Sequence, residues 1–137
     1  MHDGPEDLFL VPLLDLLGTI ASDRENHTDA IQIFERGLTL AEKAYGPNRS
    51  ESTQFLARLA YEREIIDDLE GAERLHREEI SALLGAAERD DSKLAQALER
   101  FADFLERHGR SDEAVEAKRQ SMELMVKHAW ENPADSI

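Results

Sequence analysis

Glu73-Arg74-Leu75-His76 is a stretch with metal-ligand spacing, because a glutamate and a histidine three residues apart share one face of a helix. A di-iron bundle needs two such motifs and two further glutamates, and the chain has no second copy, so these side chains are assigned to packing. His27, His108 and His128 fall at helix ends, and for His108 and His128 an interaction with free terminal carbonyls is the expected role. The chain contains no cysteine, which removes disulfides, thiolate nucleophiles and cysteine-based zinc sites together. There is no glycine-rich phosphate loop, and no serine stands in a nucleophile elbow. No catalytic, cofactor-binding or metal residue is assigned, and a non-enzymatic role is expected.

The bulk properties favour one soluble domain. A chain of 137 residues buries roughly two-thirds of its unfolded surface. Thirty acidic against sixteen basic residues give a formal charge of −14, spread along the chain, which repels phosphate backbones and anionic lipid. Basic or neutral protein partners are therefore expected, with no nucleic acid and no membrane. An acidic inhibitor or nucleic-acid mimic acting on a basic partner is the alternative that uses the charge itself. Met1-His2-Asp3-Gly4-Pro5 lacks a basic region, and Leu8 to Leu17 is interrupted by Pro12 and Asp15, so neither a signal peptide nor a spanning helix is expected. A cytoplasmic protein is the default.

Helical periodicity runs through almost the whole chain. It predicts six helices. The first covers about residues 6–23; Pro12 kinks it or marks its true first turn, and a break there is expected. The second is capped by Thr28, turns Ala30, Ile33, Phe34, Gly37, Leu38 and Ala41 to one side, and stops at Gly46-Pro47. The third follows Ser50 and the fourth Asp68, the latter carrying Ala72, Leu75, Ile80 and Leu83 inward. The fifth follows Asp91 and closes at His108-Gly109, and the sixth is capped by Ser111 and ends at Asn132-Pro133.

Ala30, Ala72 and Ala114 are spaced 42 residues apart, and the same step links Leu14, Leu56 and Leu98; Leu17, Leu59 and Phe101; and Gly18, Ala60 and Ala102. A fixed period of this size marks a stacked repeat protein. One helical hairpin is written three times, at about residues 12–49, 50–91 and 92–132, with flexible ends at 1–5 and 132–137. Small residues at Gly18, Ala60, Ala102 and the three alanines are where antiparallel helices cross closely. The fold class read from this is all-α, an α-solenoid of three helix-turn-helix repeats.

These residues resemble the tetratricopeptide repeat, in the 42-residue variety of kinesin light chains. The resemblance rests on Leu17-Gly18, Leu59-Ala60 and Phe101-Ala102 twelve residues before each recurring alanine. It rests also on Gly109-Arg110-Ser111-Asp112-Glu113-Ala114, similar to the family's inter-helix turn, and on Leu40-Ala41-Glu42-Lys43-Ala44-Tyr45-Gly46-Pro47, similar to its long-helix ending. Arg63 departs by replacing an aromatic, His76 and Lys118 by replacing the residue represented by Phe34, and Glu79 by filling a small-residue place. The resemblance implies that the three helix pairs stack into a right-handed superhelix whose concave groove is lined by the first helix of each pair. The matching positions are Asp15, Thr19 and Ser22; Gln54, Arg58, Tyr61, Glu64 and Ile65; and Gln96, Glu99, Arg100, Asp103 and Glu106. Tyr61, the one aromatic among them, suits an anchor, with a plain surface tyrosine as the alternative. Where relatives clamp a peptide's terminal carboxylate, this chain has Asp15, Thr19, Ala57, Tyr61 and Glu99, so a basic or apolar segment of another protein is the expected ligand.

Both ends of the array are apolar, whereas terminal repeats normally show a polar outer face. Leu8, Phe9, Leu10, Val11, Leu13, Leu14, Leu16 and Leu17 nearly encircle the first segment, and Val115, Met122, Leu124, Met125, Val126 and Trp130 spread around the last helix. Self-association is expected, with Leu10, Met122, Met125, Val126 and Trp130 as its candidate residues. A symmetric dimer and exchange of repeats between chains both fit; that the chain is cut from, or docks onto, a longer array is the other reading.

Overall fold

A computed structural model describes residues 5–132 of the chain. It is all-helical, with α1 (Pro5–Asp23), α2 (His27–Tyr45), α3 (Ser50–Ile65), α4 (Leu69–Leu84), α5 (Asp91–Arg107) and α6 (Ser111–Glu131), and no strand among the described residues. Of the expected flexible ends, Pro5 begins α1 and Asn132 caps α6, and the rest lie outside the described residues. The helices fall into two compact units, Met1–Gly85 and Ala86–Ile137.

The three turns inside the hairpins are built alike, one backbone bond at a time. Glu25, Asp67 and Gly109 all take left-handed dihedrals, with φ of 62°, 66° and 77°. The next residue in each turn, Asn26, Asp68 or Arg110, donates its N–H to the carbonyl of Ala21, Arg63 or Leu105 at 2.8, 2.8 and 2.9 Å. A left-handed residue followed by this six-to-one bond is the Schellman ending of a helix. The following helix then opens with the N–H of Ala30, Ala72 or Ala114 donating to the carbonyl of that same Asn26, Asp68 or Arg110. Every partner lies 42 residues from its counterpart, so the hairpin recurs in backbone geometry as well as in letters.

Packing follows the same register. Gly18, Ala60 and Ala102 are buried, as are Ala30, Ala72 and Ala114. In the first unit α1 lies on α2, α2 on α3 and α3 on α4, around a core of Ala30, Ile31, Phe34, Phe55, Leu59 and Leu75 among others. A methyl group added at Gly18 would stand 2.3 Å from the Phe34 ring, and one at Gly37 would stand 2.4 Å from Phe55. Phe34 and Phe55 also pack on each other, with ring centroids 6.3 Å apart, so neither ring is free to retreat. In the second unit α5 sets Leu94, Leu98, Phe101 and Leu105 inward while α6 contributes Ala114, Ala117 and Ser121, whose hydroxyl donates to the Ala95 carbonyl at 2.8 Å. This packing is consistent with a helical repeat.

Four local expectations need correction. α1 runs unbroken through Pro12. Proline removes the bond to the Leu8 carbonyl, but the flanking Val11 and Leu14 are both buried, and that packing holds the helix together. Thr28 does not cap α2: the helix starts at His27, and its N-cap Asn26 makes no side-chain bond. Ser111 and Asp91 are likewise first helical residues, behind Arg110 and Asp90. Asp90 is the true cap of α5, its carboxylate accepting the Lys93 N–H at 3.1 Å, as Asp68 accepts that of Gly71 on α4. At the apolar amino end, Leu17 is 42% exposed, whereas its counterparts Leu59 and Phe101 are buried.

Candidate partner-binding surface

α1 and α3 run beside each other in the first unit, and the candidate residues on them form a charged strip with one aromatic. Arg58 of α3 forks onto Asp15 of α1: Nε donates to Oδ1, and Nη2 to Oδ2 at 3.2 Å. A two-pronged arginine–carboxylate pair fixes orientation better than a single ammonium contact. The Arg58 guanidinium carbon also sits 6.0 Å from the Phe34 ring centroid, at the outer limit of a cation–π contact. Thr19 spends its hydroxyl on its own helix, donating to the Asp15 carbonyl at 2.8 Å. One turn beyond Arg58, Tyr61 is 58% exposed, and Ile65 extends the same exposed face. Gln54 donates to the Glu51 carbonyl at 3.3 Å, and Glu64 is half-buried.

In the second unit Gln96, Glu99, Arg100, Asp103 and Glu106 are all exposed on α5. Lys118 of α6 reaches Glu99 and Asp103, its ammonium 3.9 Å from each carboxylate. Such exposed pairs contribute at most about 1 kcal/mol apiece and leave the carboxylates open to a competing cation.

Of the self-association candidates, Met122, Met125, Val126 and Trp130 are exposed and Leu10 is half-buried. Val115, Met122, Val126 and Trp130 form an exposed apolar face along α6, flanked by Lys118, Arg119, Glu123 and Lys127. Arg119 bonds to Glu116 at 2.6 Å and to Glu123. Its hydrogen bond holds the Glu116 carboxyl below the usual glutamate value, against slight desolvation, and Glu116 in turn raises the guanidinium further.

Among the described residues no group of three or more histidine, aspartate and glutamate side chains gathers at metal-binding spacing. Glu73 accepts from Arg77 of the same helix at 2.8 Å, while His76 is buried. The His108 ring lies on Phe104, with centroids 4.9 Å apart.

One polar cluster was missed by sequence reasoning. Glu62 is 1% exposed, and its carboxylate accepts from the Ser22 hydroxyl at 2.6 Å and meets His27 Nδ1 at 2.7 Å. It joins the end of α1, the start of α2 and the last turn of α3. A signal did exist, since the positions 42 residues away are Ile20 and Phe104. A carboxylate at a core register position requires buried partners. No helix among the described residues is long and apolar enough to cross a membrane. No protein-family model matches the chain, and no curated protein matches it.

Proposed function

We propose that this chain is a non-catalytic protein-interaction module of the tetratricopeptide type, an α-solenoid that receives a basic or apolar segment of a partner protein on the exposed face of its first helices and self-associates through its apolar ends. The observation that carries this reading is the threefold hairpin, reproduced in turn dihedrals, hydrogen bonds and burial at a step of 42 residues. Stacked units of this kind bury one face against their neighbours and leave the other open, and the open face is the one such proteins use. On the first unit Tyr61 supplies an aromatic anchor beside the Asp15 carboxylate, and on the second unit, taken by itself, the Glu99 and Asp103 carboxylates favour a cationic ligand. A cytoplasmic setting fits the absence of cysteine.

A selection from displayed peptides tests the binding face. The expected winners are basic or apolar segments; affinity drops at least tenfold on Tyr61→Ala for both kinds, and on the charge reversal Asp15→Lys for the basic ones. Enrichment of nothing, or of peptides indifferent to both changes, overturns the proposal. Competition with DNA for a basic protein, collapsing as salt rises, would point instead to a nucleic-acid mimic.

A further inference from the structure

The 42-residue step sorts the large side chains into two registers, and burial along each register breaks at one end of the chain. The first register runs along the first helices. Ser52, Phe55, Leu59 and Glu62 on α3 are all buried, and so are Leu94, Ala97, Phe101 and Phe104 on α5. Their counterparts on α1 are Leu10, half-buried, and Leu13, Leu17 and Ile20, all exposed and all apolar. The second register runs along the second helices. Ile31, Phe34 and Ala41 on α2 are buried with Leu38 half-buried, and on α4 Glu73, His76, Ile80 and Leu83 are each buried or half-buried. On α6 the counterparts Val115, Lys118, Met122 and Met125 are all exposed, Val115 to 68%.

Inside the first unit these two registers cover each other. Phe55 of α3 packs against Phe34 and Gly37 of α2, Leu59 joins Ile31 and Phe34 in one core, and the Ser52 hydroxyl donates to the Gly46 carbonyl at the end of α2 at 2.7 Å. So, among the described residues, α1 carries an α3-type face with no α2-type helix on it, and α6 carries an α2-type face with no α3-type helix on it. The two open faces are the two halves of an interface this chain already builds.

We infer that α6 of one copy packs on α1 of a second copy as α2 packs on α3, so that chains join head to tail. The inference rests on the proposed self-association through the apolar ends and names its mode. Leu13, Leu17 and Ile20 of one chain meet Val115, Met122 and Met125 of the next. Lys118 takes the Phe34 place with its ammonium drawn aside by Glu99 and Asp103, leaving its aliphatic stem in the contact. Unlike faces form a heterologous contact, which leaves one open α1 and one open α6 at the ends of every linear assembly, so that it grows or closes into a ring.

Complementation between two blocked full-length chains decides the mode. Leu17→Glu blocks the α1 face and Met122→Glu the α6 face; both positions are exposed, and an unchanged helical circular dichroism spectrum confirms that each variant folds. Leu13→Glu and Val115→Glu form a second pair for use if either of the first misfolds. In sedimentation velocity the unaltered chain is expected to grow in mass with concentration, each variant alone to stay at 15.5 kDa, and an equimolar mixture to stop at twice that mass. Trp130, the sole tryptophan, should blue-shift and lose acrylamide quenching in the mixture. An unaltered chain that associates while the mixture stays monomeric overturns the head-to-tail mode and leaves self-association standing. Association that survives Leu17→Glu alone as a discrete dimer indicates a symmetric α6 contact and also overturns it. A monomer at every concentration overturns both.

Discussion

Glu25 and Asp67 hold the left-handed dihedrals that Gly109 holds at the third turn, and a side chain there costs about 1–2 kcal/mol that glycine avoids. Glu25→Gly is therefore expected to raise the stability of the chain by about 1 kcal/mol in urea unfolding, and Gly109→Ala to lower it by a similar amount. Equal and opposite signs are the test; a loss from Glu25→Gly would mean that the turn is held by the glutamate side chain. Glu62 is the other residue where a single change speaks for the architecture. Its removal strands the Ser22 hydroxyl and His27 Nδ1 and leaves a void, so Glu62→Ala should cost about 1–3 kcal/mol. A change below about 0.5 kcal/mol would show that the three helices it joins do not depend on it. Neither feature was readable from residue types alone. Glycine marks a left-handed turn in a sequence and glutamate does not, while a buried carboxylate is visible only once its apolar counterparts Ile20 and Phe104 are aligned with it.

Helix boundaries came through the sequence better than caps did. Gly46 ends α2 with a φ of 90°, and Asp68 caps α4 as its position suggested. Thr28 and Ser111 failed because the Schellman turn before each helix already fixes where it starts, at the residue after Asn26 or Arg110, whatever the next side chain offers. Pro12 failed in the opposite direction, a strong local breaker overridden by packing. Because α1 lacks one backbone bond there and the proline side chain is exposed, Pro12→Ala should stabilise the chain by about 1–3 kcal/mol with a small rise in helical signal. Loss of stability on this change would show that a kink at Pro12 is required for α1 to meet α2. Leu17 shows where equal letters stop meaning equal burial: the same repeat position is 2% exposed as Leu59 because α2 covers it, while nothing described covers Leu17. Periodicity reports which face a helix buries within its hairpin, and a neighbour decides the rest.

For the whole molecule, sequence alone carried the threefold hairpin and the apolar ends, because both are matters of spacing and hydrophobicity. The candidate surface was legible as a set of positions, whereas the Asp15–Arg58 pairing that partly neutralises it was not. With a charge of −14 the chain should attract basic partners quickly at low salt and more slowly as ionic strength rises. The central claim, that this molecule works by holding another protein on the exposed face of its first helices, is tested most directly by quantitative capture from lysate of its source. The unaltered chain is compared with Tyr61→Ala and Asp15→Lys at equal bait. The account predicts a defined partner retained by the unaltered chain and reduced at least tenfold by Tyr61→Ala, and by Asp15→Lys as well where its bound segment is basic; an identical set of captured proteins at undiminished levels in all three would contradict it.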